Sequence, residues 1–198
     1  MLHPADDFIV RARAVRALVL DVDGVLTDAS LVYGARGEWL KRFSARDGFA
    51  IKTAMQEGMS VAILSGRLAP PIKARITDLG IAPDHVIQGS RNKRTDITTL
   101  AGRLGLVLHE VAFMGDDLPD LPALTMVGLS ACPADAAPEV QERCHFVAAS
   151  PGGRGAVRDL IEAVLKARGR WTAIVEAWAS GGPPEGFYGS SRKGLGPR

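Results

Sequence analysis

The 198-residue sequence predicts an α/β protein, a doubly wound parallel sheet of the Rossmann-like kind with a β-hairpin inserted after the first strand. Three observations predict it. Short apolar runs show almost no polar alternation, as expected of strands buried on both faces. They alternate with segments of helical length, the rhythm of right-handed strand–helix–strand crossovers. Three of those helical segments stop at a glycine, the residue that most easily takes the left-handed conformation just past a helix end.

In chain order, residues 15–20 read as the first strand, and 60–64, 85–88, 111–114 and 127–129 as its successors. Between them, 48–57 stops at Gly58, 71–79 at Gly80 and 92–104 at Gly105, and 157–167, ending near Gly169, is a closing helix. The stretch SLVYGARGEWLKRFS holds two strand-like runs joined by a Gly-containing turn, which reads as the inserted hairpin, about residues 28–46. Residues 1–170 then form one domain, and 171–198 a Gly/Pro-rich tail; from Ala179 onward Gly, Pro, Ser and basic residues leave little to bury. No internal repeat is visible.

Composition narrows the function classes. A hydrophobic fraction of 46% over this length supports one sizeable core. With 24 Lys plus Arg against 22 Asp plus Glu, no long-range field calls for nucleic acid. No apolar run approaches the ~20 residues of a spanning helix, and the N-terminal MLHPADDFIVRARAVR has no apolar signal region. Cys132 and Cys144 have neither metal-ligand spacing nor a disulfide-dense setting, so packed thiols in a reducing cytoplasm are expected.

The chemistry gathers at the carboxyl ends of the strands, where a parallel α/β sheet opens its ligand crevice. The first strand ends in Asp21-Val22-Asp23-Gly24, the second in Ser65-Gly66-Arg67; the third is followed by Gly89 and Lys93, and the fourth by Gly115-Asp116-Asp117. Asp21, Asp23 and Asp116 together carry too much negative charge to stay ionised without a cation. Hard oxygen ligands suit Mg²⁺, which also binds phosphate. Lys93 and the Ser65 hydroxyl add a positive charge and a hydrogen bond for phosphoryl oxygens. One aspartate is then a candidate nucleophile toward phosphorus and the second a proton carrier.

D-x-D-G-V-L-T-D, S-G-R, a lysine and G-D-D-x-x-D, in that order, resemble the motifs of the haloacid dehalogenase-like phosphatases over about residues 15–167. The segments GEWLKRFSARDG, QGSRNK and GGRGAVRD are similar to the branch of that family that dephosphorylates an eight-carbon 3-deoxy sugar acid on the way to lipopolysaccharide. A related branch acts on nine-carbon acids, but typically has an acidic residue where Arg67 stands and lacks the arginine of R-D-G. The resemblance implies that Asp21 is the nucleophile and Asp23 the general acid and then base. It implies Mg²⁺ held by Asp21, the backbone carbonyl of Asp23, and Asp116, with Ser65, Gly66 and Lys93 on the phosphoryl group. Asp117 and Asp120 would be outer groups positioning metal waters or Lys93, with ordinary helix-start acids as the competing reading. Arg46 and Arg67 are candidates for the sugar acid's carboxylate and hydroxyls, against the reading of ordinary surface ion pairs. It further implies a homotetramer whose hairpins act as lids on neighbouring active sites. Leu68-Ala69-Pro70-Pro71 departs from the more polar helix start usual after S-G-R, and the tail is longer than the family norm. A non-catalytic scaffold of the same fold is the reading from another class; such proteins usually lose the nucleophile or the lysine, and both are present.

Overall fold

In the computed structural model, which describes residues 4–35, 37–182 and 187, Ala17–Leu20 forms β1 with all four residues buried. Leu18 and Leu20 join one hydrophobic cluster, Ala17 and Val19 another, which is why this run shows no polar alternation. The hairpin follows as β2 (Val32–Gly34) and β3 (Gly37–Leu40), an antiparallel pair standing as its own small sheet. The remaining strands are β4 (Ser60–Ser65), β5 (Val86–Gln88), β6 (Val111–Met114), β7 (Leu129–Cys132) and β8 (Phe146–Val147). They complete a six-stranded parallel sheet in the order β5-β4-β1-β6-β7-β8. Chain order runs outward from β1 through β4 to β5, then resumes on β1's other side with β6. The crevice at the carboxyl ends of β1 and β6 is therefore the topological switch point, where such sheets bind ligands.

Helices cover both faces. The helices are α1 (Pro4–Ala14), α2 (Ala45–Gln56), α3 (Pro70–Leu79), α4 (Lys93–Arg103), α5 (Leu121–Leu124), α6 (Pro138–Gln141), α7 (Ala156–Ala167) and α8 (Trp171–Gly181). Ile51 of α2, Ile72 of α3, and Leu160 and Val164 of α7 pack with Leu18, Leu20 and Ile63. On the opposite face Ile97 and Leu100 of α4 and Leu124 of α5 pack with Val19, Leu64 and Phe113. Each such fully buried side chain contributes about 1.5–3 kcal/mol of transfer free energy.

Four elements differ from the sequence reading. Helix α1 was not foreseen; Phe8 stacks on Phe146 with ring centroids 5.4 Å apart, and Ala12 is buried. Strand β7 lies two to three residues later than 127–129. Gly128 is part of the approach to it, where a Cβ would sit 2.0 Å from the His109 carbonyl oxygen. Strand β8 is two residues long, too short for a pattern. The tail assigned from residue 171 begins instead with α8, whose Trp178 meets Phe49 edge-on at 5.2 Å and Phe187 at 4.9 Å. Aromatic contacts bind this helix to α2 despite the Gly and Pro that follow. Apart from Gly182 and Phe187, the rest of the expected tail lies outside the described residues.

One polar joint fixes the hairpin's exit. Ser44 caps α2, its hydroxyl accepting from the Asp47 N–H at 3.3 Å. The buried Asp47 carboxylate in turn accepts from the backbone N–H groups of Gly155 (3.2 Å) and Arg158 (2.9 Å), in the first turn of α7. Burial pushes the Asp47 carboxyl above its ordinary range, and those N–H donors pull the other way. Removing the carboxylate strands buried donors, so Asp47→Ala is expected to lower stability by about 2–3 kcal/mol, measured by urea unfolding monitored by circular dichroism.

Candidate active site

The turn after β1 is closed by its own backbone. The N–H of Asp21 donates to Met114 O at 3.0 Å, tying the strand end to β6, and the N–H groups of Leu26 and Thr27 both return to Val22 O at 3.0 Å. Gly24, at φ 85°, lets the neighbouring strand's loop come in: a Cβ there would lie 2.0 Å from Asp116 Oδ2. Asp116 follows β6, and Asp120 is folded back beneath it, its Oδ2 accepting from the N–H groups of Asp116 (2.9 Å) and Asp117 (3.3 Å). Asp21, Asp116 and Asp120 each offer an oxygen within 4.8 Å of the others.

Lys93, the first residue of α4 behind an Asn92 cap, enters this cluster with 8% of its surface exposed. Its ammonium lies 2.9 Å from Asp21 Oδ2 and hydrogen-bonds Asp120 Oδ1 as well. Burial alone would push the ammonium down, but Asp21 and Asp120 outweigh it and hold Lys93 above its ordinary value. One ammonium does not balance three carboxylates. Burial, followed by repulsion from Asp120, raises Asp21 to about 7; burial, then Asp120, Asp21 and Asp117, raise Asp116 to about 8. A crowded, all-oxygen set whose members resist ionisation fits a hard divalent cation such as Mg²⁺.

The other predicted residues surround this centre unequally. Ser65 ends β4, fully buried, its hydroxyl accepting from the Arg67 N–H at 3.2 Å, while Ser65 O accepts from the Ser90 N–H at 3.0 Å. Gly66 lies between them in the same turn. Asp23 stands apart from the carboxylate cluster: one oxygen pairs with Lys41, just past β3, and the other is 3.9 Å from Arg67 Nε. Arg67 also donates to the Tyr33 hydroxyl of β2 at 2.9 Å, so the hairpin touches its own chain's crevice at two points. Arg46 is elsewhere: it lines a cavity of about 420 Å³ with Ser150, Arg154, Gly155, Arg158 and Asp159.

Sequence reasoning left two participants out and a third undecided. Lys41 is one lysine in a hairpin, and nothing in local spacing marks it as buried. Tyr33 sits among apolar hairpin residues, where nothing in the sequence marks its hydroxyl as a partner for Arg67. Asp120 was grouped with Asp117, yet Asp117 caps the exposed Leu118 N–H at 2.7 Å, whereas Asp120 is buried among charges. No local signal separates them, since each is followed by Leu-Pro; in the fold Leu118 is exposed, whereas Leu121 packs against the core.

The sheet topology and the acidic crevice with its lysine define a haloacid dehalogenase-like hydrolase, and a family model of that description matches residues 84–160. The chain is 42% identical over 164 residues to the 3-deoxy-D-manno-octulosonate 8-phosphate phosphatase KdsC of Escherichia coli K12, covering 83% of this chain and 86% of that one. A crystal structure of the enzyme of that name from Yersinia pestis superposes with a TM-score of 0.81 at 40% identity, over 84% of this chain and 89% of that one. Another from Moraxella catarrhalis, in complex with magnesium, phosphate and KDO, gives 0.83 at 31% identity, over 87% and 98%. The chain belongs to the 3-deoxy-D-manno-octulosonate 8-phosphate phosphatase family.

The raised carboxyls have a measurable consequence. Unfolded aspartates ionise near 3.8, whereas native Asp21 and Asp116 keep protons up to about 7 and about 8. Between those limits the metal-free native state binds more protons than the unfolded state, so these two groups make stability fall as pH rises. Added Mg²⁺ competes with those protons. Differential scanning fluorimetry is expected to show a larger Mg²⁺-induced rise in Tm near pH 8 than near about pH 5.5.

Proposed function

We propose that the chain hydrolyses 3-deoxy-D-manno-octulosonate 8-phosphate to the free sugar acid and inorganic phosphate, a Mg²⁺-dependent step toward lipopolysaccharide. The observation that carries this reading is the Asp21–Asp116–Asp120 cluster with Lys93 inside it, in a chain 42% identical to a phosphatase of that name. In the first half-reaction an Asp21 carboxylate oxygen attacks phosphorus and the bond from phosphorus to the sugar oxygen breaks. Asp23 gives that leaving oxygen a proton. In the second, Asp23 takes a proton from water as the water oxygen attacks the phosphorus on Asp21, freeing phosphate and regenerating the carboxylate. Lys93 and the Ser65 hydroxyl bind phosphoryl oxygens, the lysine offsetting charge that grows in the transition state, with Gly66 leaving its turn open to the phosphate. Asp21, Asp116 and the Asp23 carbonyl would hold Mg²⁺, which would supply further charge neutralisation at Asp21 and the phosphoryl group.

Arg67, at the rim beside Asp23, is assigned to the sugar acid's carboxylate or hydroxyls, since a guanidinium binds a carboxylate through two donors. Arg46 would serve the same end in a neighbouring subunit's site. We infer a homotetramer: Leu31, Val32, Tyr33 and Leu40 of the hairpin region are all exposed, more apolar surface than a two-stranded ribbon buries alone. The side chain of Trp39, in the same hairpin, lies outside the described residues. Among the described residues no helix is long and apolar enough to cross a membrane, and the two cysteines are free; a cytoplasmic location belongs to the same reading.

The experiment is a phosphate-release assay over eight- and nine-carbon sugar acid phosphates and p-nitrophenyl phosphate. Turnover of the eight-carbon ester is expected to lead, to stop with excess chelator, and to vanish in Asp21→Asn; substantial activity in that variant contradicts the nucleophile. Arg67→Ala should raise KM for the sugar acid ester by about 10-fold while leaving the small ester within about 2-fold, and equal losses would move Arg67 into the phosphate site. Sedimentation velocity is expected to give a tetramer for the wild type and smaller species for Leu40→Glu; a wild-type monomer with full activity refutes the shared-lid arrangement.

A further inference from the structure

Lysine is almost never fully buried unless it is paired, because taking an ammonium out of water costs several kcal/mol. The Lys41 side chain is 0% exposed. It follows the last residue of β3, so a surface role would leave it free to point outward, as its neighbour Arg42 does, being exposed. It turns inward instead, and its ammonium bonds Asp23 Oδ1 across 18 residues of chain. The other oxygen of Asp23 faces Arg67 at 3.9 Å, and Arg67 is held by Tyr33 of β2 at 2.9 Å. Both strands of the hairpin thus reach the same carboxylate, β3 through Lys41 and β2 through Tyr33 and Arg67.

We propose that Lys41 is a positioning residue for the reaction: its buried ammonium sets the direction of the Asp23 carboxyl, so that the hairpin's seating governs proton delivery to the leaving sugar oxygen. This rests on the assignment of Asp23 as the proton carrier. The geometry gives Asp23 a partner on each oxygen and leaves its side chain 21% exposed at the crevice rim, outside the Asp21–Asp116–Asp120 cluster. A carboxyl held from one side by a buried charge has few orientations to lose before it transfers a proton, which is where a fixed partner accelerates a reaction. The ammonium's bond is to Asp23, whose carboxyl lies outside the Asp21–Asp116–Asp120 cluster. Its effect should therefore appear only where the leaving group needs a proton.

The test compares Lys41→Met, which keeps the apolar stem, and Lys41→Arg with the wild type on two esters: the sugar acid phosphate, whose alkoxide must be protonated, and p-nitrophenyl phosphate, whose phenolate leaves without a proton. For Lys41→Met, kcat on the sugar ester is expected to fall by ~10²-fold with KM within about 2-fold, while p-nitrophenolate release in the first turnover changes by less than about 3-fold. Lys41→Arg should recover most of the loss. Adding Lys41→Met to Asp23→Asn should change kcat by less than about 3-fold, because the residue acts through a carboxyl already removed. Equal losses on both esters, additive losses in the double variant, or a raised KM at unchanged kcat would each overturn the proposal, the last by making Lys41 a substrate contact. Thermal melts of each variant identify any that fail to fold, and the Arg variant then decides the question. If the wild type ignores the sugar acid ester, the substrate reading fails by itself, and the comparison runs on whichever alkyl phosphate the wild type hydrolyses.

Discussion

The charge crowding at the carboxyl ends of β1 and β6 is the constraint on which the rest of the structure depends. Asp21, Asp116 and Asp120 are brought within 4.8 Å of one another, and Lys93 alone does not neutralise them. Like charges in a dry crevice repel strongly, so the scaffold has to force the approach and a cation has to complete it. Bare glycine backbones let the loops close: a side chain at Gly24 would strike Asp116, and one at Gly115 would strike Asp120, 2.5 Å from its Cβ. Backbone N–H groups of Asp116 and Asp117 then hold Asp120 in place, and Asp120 holds Lys93 against Asp21. The resulting site is built to need positive charge, and a divalent cation held there is what would draw a phosphoryl group in.

The doubly wound sheet serves this centre from outside. Strand β1 is buried on both faces and paired on both edges, and its neighbours β4 and β6 deliver Ser65 and Asp116 from either side. Further out, the loop before α7 packs against the turn after Asp23. A Cβ on Gly152 would lie 1.8 Å from Gly24 O, and Gly153 N donates to Val25 O at 2.9 Å. Asp47 binds the same loop to α2, so the hairpin's exit, the closing helix and the catalytic turn form one mechanical unit.

Much of this was legible in the sequence, for physical reasons that differ by element. The parallel strands show because both their faces are buried, and helices α3 and α4 show because Gly80 and Gly105 stand just past them at φ 76° and 66°. The crevice residues show because strand ends in such a sheet converge, so that distant motifs become neighbours. What did not show depends on tertiary contacts. Helix α8 is held by Phe49 and Phe187, and β8 by pairing with β7 and the stacking of Phe146 on Phe8. The pairing of Lys41 with Asp23 and of Tyr33 with Arg67 joins a hairpin to a loop across sequence distances that no local pattern encodes.

The hairpin is therefore more than an added surface: it contacts Asp23, the residue proposed to carry the proton, while Leu31, Val32 and Leu40 of the same region stay exposed. The phosphoaspartate account itself is tested most directly by a crystal structure with Mn²⁺ and beryllium fluoride. It predicts the fluoride adduct bonded to an Asp21 carboxylate oxygen, the metal between Asp21 and Asp116, and Lys93 against the adduct. An adduct on any other residue, or a metal bound away from the Asp21–Asp116 pair, would contradict it.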